Sequence, residues 1–370
     1  MPVRATRIPL KCAVEDFTTG TIQNQPPRRS GTLGDEWDTR VRQLVADWGA
    51  DKTPELIEEM IGTALKIGRD QMGVADLKLL NRSLKELRYA AKVFAPYAHM
   101  RKIAVFGSAR TAPDAIPFKM AEEFGREIIK HNYMVITGGG DGIMGAAQRG
   151  AGREHSFGLN IRLPFEQRAN PIIDGDGKLI NFNYFFTRKL NFVKETHALA
   201  LFPGGFGTMD EGFEVLTLMQ TGKGRIIPMV LLDQPDGTYW ETWMKFVRED
   251  MFNLGYVSSE DFSLFKLCHS VPEAVNEVLQ FYKTYHSVRW VGDQLVLRIM
   301  HRLTDSAVAE LNDKFADMVR DGKIEQGGAL SQEKNEPEIL ELPRLVLKPH
   351  RRDFGRFRQL IDAINAASVG

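Results

Sequence analysis

The chain has 370 residues, of which 43% are hydrophobic and 26% charged, and its 48 basic residues balance 48 acidic ones. This is the composition of a globular protein with a sizeable core and more than one domain. Zero net charge argues against a nucleic-acid partner, and no apolar run approaches the ~18 residues of a membrane span. The two cysteines, Cys12 and Cys268, lie far apart without CxxC or metal-ligand spacing. That usage fits a reducing, cytoplasmic compartment, no bound metal, and Cys268 as inert core. The first residues lack the apolar stretch of a signal peptide.

Residues 1–35 read as an N-terminal arm of mixed composition, with Ile8, Leu10, Val14 and Phe17 available to pack on the body. Residues 36–98 read as a helical extension. Thr53 gives a cap signal there, with acids following in the first turn. Leu77, Leu80, Leu84, Leu87 and Ala91 recur at helical spacing, and Pro96 ends the pattern. The expected role is a layer packed on the next domain.

From 99 to 286 the pattern alternates. Apolar strands are expected at RKIAVFGSAR, YMVITGGG, SFGLNIRLP, HALALFPGG and RIIPMVLLD, with helical stretches between them. Near-continuous apolar strands alternating with helices predict an α/β fold, a Rossmann-like doubly wound parallel sheet covered on both faces. Ligands of such sheets bind at the carboxyl ends of the strands. Glycine turns follow the first, second and fourth strands on that one edge. Residues 287–370 read as a C-terminal α/β extension: a strand (SVRWVGDQLVLRIM), a helix, a polar loop-like stretch from Asp321, a second strand (LPRLVLKP) and a final helix.

Three motifs carry chemistry. Gly140-Asp141-Gly142-Ile143-Met144-Gly145 is formally a GxGxxG, and Glu166 falls about 20 residues on, where a ribose-binding acid of a dinucleotide site would stand. It follows the second strand rather than the first, so a mononucleotide held by several glycine turns explains more of the sequence. Pro203-Gly204-Gly205-Phe206-Gly207-Thr208 joins a strand to a helix, where glycines let the backbone approach an anion and free amides point at it. Glu211 follows Thr208 by three residues. That spacing is a capping box, which by itself favours a helix-cap role; the functional alternative turns the carboxylate towards a ligand. Arg188-Lys189, just upstream, reads either as a solvated pair or as cations reaching an anion on the same edge.

At these residues the sequence resembles the LOG family, often labelled "possible lysine decarboxylase". The family signature PGGxGTxxE is matched from Pro203 to Glu211, its Arg-Lys pair by Arg188-Lys189, its glycine run by GGGDGIMGAA from 138 to 147, and its first turn by Phe106-Gly107-Ser108. The resemblance covers about residues 100–285, and the flanks look like those of longer bacterial members. It implies a nucleoside 5′-monophosphate phosphoribohydrolase, in which water cleaves the N-glycosidic bond of AMP or a cytokinin-type monophosphate to free base and ribose 5-phosphate. It further implies Arg188 and Glu211 as the catalytic pair, and Gly204, Gly205, Gly207 and Thr208 around the 5′-phosphate. Gly107, Ser108, Gly139 and Gly140 would line the nucleotide site, with Lys189 assisting. The resemblance implies no cofactor and a homodimer or higher homo-oligomer. One departure is Tyr184-Phe185-Phe186-Thr187, where short members carry a methionine and an acid. The alternative is a non-catalytic protein that holds a nucleotide or a pterin cofactor, as the molybdenum-cofactor carriers do. The C-terminal basic residues Arg344, Lys348, His350, Arg351, Arg352, Arg356 and Arg358 read as a salt-bridged, solvated helix start, or as a site for an anionic effector.

Overall fold

The computed structural model describes residues 33–49, 52–163, 168–333, 336–350 and 352–370. Nearly all of the expected arm, with Cys12, Glu166 and Arg351, lies outside them. The chain forms two compact units that divide between Arg88 and Tyr89.

The first unit holds α1 (Asp35–Trp48), α2 (Pro54–Arg69) and most of α3 (Val74–Phe94). In α1 the buried residues are Val41 and Val45, four apart on one face. Pro54 opens α2 with its ring already at a helical φ. Thr53 before it has φ 51 and makes no side-chain cap, so the expected threonine cap does not form.

The second unit contains a seven-stranded sheet. In chain order its elements are β1 (Arg101–Phe106), α4 (Ile116–Ile128), β2 (Tyr133–Thr137), α5 (Ile143–Ala151), β3 (Ser156–Ile161) and β4 (Leu179–Phe182). They continue as α6 (Phe185–Glu195), β5 (Ala198–Leu201), α7 (Phe206–Gln220), β6 (Met229–Leu232), α8 (Tyr239–Phe246), β7 (Lys266–Cys268) and α9 (Val271–Phe281). The order across the sheet is β4-β3-β2-β1-β5-β6-β7, and every pairing is parallel. Side chains alternate between two cores, as the pleat requires. Ala104 and Phe106 join Phe192, Leu199 and Leu201 on one face, while Ile103 and Val105 join Phe124, Ile143 and Ala200 on the other. Double coverage makes the central strands continuously apolar, which is why they are legible. The edge strands β4 and β7 are short and mixed, and they carry no such signal. Burial pushes the Cys268 thiol, in β7, up to about 12, so it stays a protonated core group.

From β1 the chain winds outward through β2, β3 and β4, then returns to place β5 on the other side of β1. The reversal opens a crevice at the carboxyl ends of β1 and β5.

The same unit continues into an antiparallel sheet of order β10-β11-β9-β8, made of β8 (Tyr285–Val291), β9 (Gln294–Ile299), β10 (Val319–Gly327) and β11 (Arg344–Pro349). Helices α10 (Asp305–Lys314) and α11 (Phe354–Ala366) accompany it. The single strand expected at 287–300 is a hairpin in which Val291 pairs with Gln294 around a two-residue Gly292-Asp293 turn. The polar stretch expected to be a loop begins with β10, an edge strand whose residues are mostly exposed.

Of the C-terminal basic residues, Arg344, Lys348, Arg352, Arg356 and Arg358 are tied into internal ion pairs. Arg344 is fully buried on Glu333, at 3.1 Å. Lys348 pairs with Asp321, Arg352 with Asp353, Arg356 with Asp317, and Arg358 with Glu277 and Asp362. They are spread along a strand and a helix rather than gathered at one point.

Candidate functional site

Three turns meet at the crevice. After β1, the Ser108 amide donates to the Pro203 carbonyl at 3.0 Å, which ties the first turn to the turn after β5. The Ser108 hydroxyl accepts from the Arg110 amide at 3.1 Å, and the Ser108 carbonyl accepts from the Ile143 amide at the start of α5. The turns that follow β1, β2 and β5 are thus held by their own backbone.

The turn after β5 ends at Gly205, which is the N-cap of α7. The amides of Thr208 and Met209 both donate to the Gly205 carbonyl. The amides of Gly205, Phe206 and Gly207 precede that ladder and, among the described residues, are the unpaired donors of a helix start, with the positive end of the helix dipole behind them. Gly204 has no room for a side chain: a Cβ there would stand 2.1 Å from the Thr208 hydroxyl and 3.1 Å from the Gly107 carbonyl carbon. The Tyr239 hydroxyl of α8 donates to the Gly204 carbonyl and fixes the turn from behind.

The turn after β2 is Gly138-Gly139-Gly140. Gly139 has φ +78, a left-handed conformation open to glycine at little cost. The Gly139 carbonyl accepts from both the amide and the side chain of Asn170, at 2.8 and 3.0 Å, and Gly140 accepts from the same side chain at 3.0 Å. Asn170 also bonds Gln148 at 2.6 Å and is buried. It acts as a clasp on the glycine run.

Arg188 projects from α6 towards this run. Its Nε donates to the Leu159 carbonyl at 2.8 Å, and its Nη2 stands where a Cβ on Gly138 would come within 2.7 Å. The guanidinium also lies over the Phe192 ring, 5.2 Å from its centroid. Burial pushes its pKa down from the ordinary arginine value, and the charges of Glu211 and Asp210 counter this.

Because Gly205 is the cap, Thr208 lies inside the first turn of α7 and cannot form the capping box that its spacing suggested. Glu211 is therefore released from a capping role. It is 4% exposed. A cavity of about 30 Å³ lies against it, walled by Phe106, Phe192, Leu199, Val215 and Met219. Among the described residues no hydrogen bond reaches its carboxylate, and Lys189 Nζ stands 3.9 Å away. Burial pushes the Glu211 pKa up to about 7, against the lowering pull of Lys189 and Arg188.

Lys189 is paired within the site. Its Nζ meets Glu214 at 2.6 Å, Asp210 at 3.0 Å and Glu211 at 3.9 Å, so it is the hub of three α7 carboxylates. Burial opposes its charge, but hydrogen bonds to Glu214 and Asp210 and the charge of Glu211 outweigh burial and raise its pKa.

The structure thus brings Gly107, Ser108, Gly139, Gly140, Arg188, Lys189, Gly204, Gly205, Gly207, Thr208 and Glu211 to one edge of the sheet. Sequence reasoning did not single out Asn170, Asp210, Glu214 or Tyr239. Asn170-Pro171 is a turn signal, and Asp210 and Glu214 flank Glu211 on the helix, but neither pattern identifies a clasp or an ion hub. No group of three or more histidine, cysteine, aspartate or glutamate side chains suited to a metal occurs among the described residues, and no helix there is long and apolar enough to cross a membrane.

Residues 144–278 match a family model described as "Possible lysine decarboxylase". Over 223 residues the chain is 25% identical to a cytokinin riboside 5'-monophosphate phosphoribohydrolase of Arabidopsis thaliana, covering 59% of this chain and 98% of that one. Over 206 residues it is 24% identical to a "Probable cytokinin riboside 5'-monophosphate phosphoribohydrolase" of Oryza sativa subsp. japonica, covering 54% and 82%. Among solved structures, the molybdenum cofactor carrier protein of Chlamydomonas reinhardtii is 24% identical, with 49% of this chain and 97% of that chain covered and a TM-score of 0.36.

Proposed function

We propose that this chain, whose central domain is LOG-like, is a nucleoside 5′-monophosphate phosphoribohydrolase that takes AMP or a related, cytokinin-type monophosphate. The observation that carries the reading is Glu211: a carboxylate freed from capping, buried, and held near pKa 7 beside an anion-binding helix start. The phosphoribohydrolase relatives support a hydrolase in the same direction.

In this reading the 5′-phosphate docks on the amides of Gly205, Phe206 and Gly207, with the Thr208 hydroxyl alongside. Arg188 never gives up its proton, so it binds the ribose hydroxyls or the phosphate rather than serving as an acid. Cleavage develops positive charge on the ribose ring. Ionised Glu211 stabilises that charge and accepts a proton from the attacking water as its oxygen bonds to the anomeric carbon. The C–N electron pair leaves with the base, which is then protonated. A pKa near 7 suits a group that must take up and release a proton at neutral pH.

The decarboxylase description finds no support in the site's one lysine. A Schiff base needs a neutral amine, and Lys189 is held charged by three carboxylates.

The test is incubation of the purified chain with a panel of nucleoside 5′-monophosphates, reading free base and ribose 5-phosphate. Equimolar release by wild type and none by Glu211→Ala supports the hydrolase. Binding without release would mark a nucleotide-holding protein instead.

A further inference from the structure

Helix α7 stands between two cavities. Glu211, Val215 and Met219 line the one described above, and Phe213 and Leu216 line a second on another side of the same helix. The second cavity is about 80 Å³. Trp243 of α8 and Val247 after it form the facing wall, and Phe262 and Phe265 complete it. The Trp243 ring lies 5.9 Å from Phe213 and 5.3 Å from Phe265 between centroids, so the lining is largely aromatic.

Three observations set this space apart from a packing void. Helix α8 runs on into a π-helical turn, Val247–Phe252, after which the Asn253 amide donates to the Arg248 carbonyl, five residues back, at 3.2 Å. The extra residue per turn widens the helix at the cavity wall, and such turns are rare and frequent at functional sites. Trp243 Nε1 is buried with no acceptor among the described residues. A buried donor without a partner costs stability, and an occupant that carries an acceptor removes that cost. Thr217, also in the lining, is exposed, which gives the space a mouth to solvent.

We propose that this cavity is a second binding site, which takes a small neutral molecule with one short apolar group and one hydrogen-bond acceptor for Trp243 Nε1. An apolar cavity of about 150 Å³ holds benzene, so the smaller space here takes a short branched or cyclic aliphatic group. Asp261 is the one charged residue in the lining among the described residues. Its Oδ2 accepts from Gln220 Nε2 at 2.6 Å and from the Ser258 amide at 2.8 Å. A carboxylate already fixed at the wall repels an anion, which makes the occupant neutral. The two cavities share no lining residue, so this site stands apart from the nucleotide reading.

The test titrates the full chain with butanone, a neutral ketone, and separately with xenon, which fills apolar space and accepts no hydrogen bond. The Trp243 indole N–H resonance, assigned by its loss in Trp243→Phe, is expected to move downfield and saturate with butanone as the ketone oxygen accepts from it. Trp243→Phe keeps a ring and removes the donor. It should weaken butanone about fivefold by calorimetry and leave xenon binding, followed by xenon NMR, unchanged. Leu216→Phe fills the space and should abolish both, in a chain whose circular dichroism matches wild type. Propionate, of similar size but charged, should not bind. Xenon uptake without saturable butanone binding would reduce the cavity to a packing void and overturn the site. So would equal butanone affinity in wild type and Trp243→Phe, or unaltered binding of both probes by Leu216→Phe. Propionate binding as tightly as butanone would overturn the neutral class of ligand.

Discussion

Glu211 and Glu333 are both buried glutamates beside two cations, yet their protons behave oppositely. Glu333 is fully buried and accepts from Arg298 Nε at 2.8 Å, Arg344 Nε at 3.1 Å and the Leu330 amide at 2.9 Å. Burial alone would raise its pKa, but the Leu330 amide, Arg344 and Arg298 overcome it and hold the group below the ordinary glutamate value. Glu211 has cations nearby and no donor in contact, so burial wins and the group sits near 7. Hydrogen bonds to the charged form, more than neighbouring charge, decide whether a buried carboxylate becomes a structural ion or a proton-handling one. The C-terminal sheet uses the first arrangement to lock strands β9 and β11 to the segment carrying Glu333, and the crevice uses the second.

The contrast breaks most sharply by substitution. Glu211→Gln should lower the rate of base release by on the order of 10²–10⁴-fold with substrate affinity retained, measured by single-turnover assay and calorimetry. Glu333→Ala should instead leave Arg344 without its carboxylate and Arg298 with Glu336 alone, and cost about 3–5 kcal/mol of stability in chemical denaturation, with little change in kcat/KM of the folded fraction.

The two carboxylates should also give opposite pH signatures in stability. Glu333, with a depressed pKa, stabilises fully above the ordinary glutamate value, and that contribution is lost as pH falls through its folded pKa. Glu211, with a raised pKa, costs nothing below about 4.5 and becomes progressively destabilising as pH rises towards 7. Glu211→Gln should accordingly be more stable than wild type by about 3 kcal/mol at pH 8 and little different at pH 4.5, read from denaturation midpoints.

Smaller effects sharpen the geometry. Asn170→Ala should unclasp the Gly139 and Gly140 carbonyls and raise KM about tenfold, with kcat less affected. Lys189→Met should leave Asp210, Glu211 and Glu214 without their shared cation and move the midpoint of the pH–rate profile upward by about one unit.

The central sheet was legible because β1, β2, β3, β5 and β6 are buried on both faces and read as apolar runs. The edge elements were not. Strand β10 is polar because it faces water, and the β8–β9 hairpin turns on two residues inside an apolar run. The glycines of the site were legible because backbone approach to an anion restricts the residue type. The choice between cap and ligand contact for Glu211 was not legible, since its distance from Thr208 fits a capping box whichever residue begins the helix, and only the fold places that start at Gly205. Asn170 and the Lys189 hub depend on contacts between distant segments, which spacing along the chain does not encode.

The most direct measurement is kcat/KM for AMP hydrolysis across pH 5–9, with wild type and Glu211→Gln in parallel. A wild-type rate that climbs through a midpoint near 7 and levels off, together with a flat and strongly reduced Glu211→Gln profile, is the expected result. Equal rates for the two chains, or a wild-type profile flat from pH 5 to 9, would contradict Glu211 as the group that handles the proton.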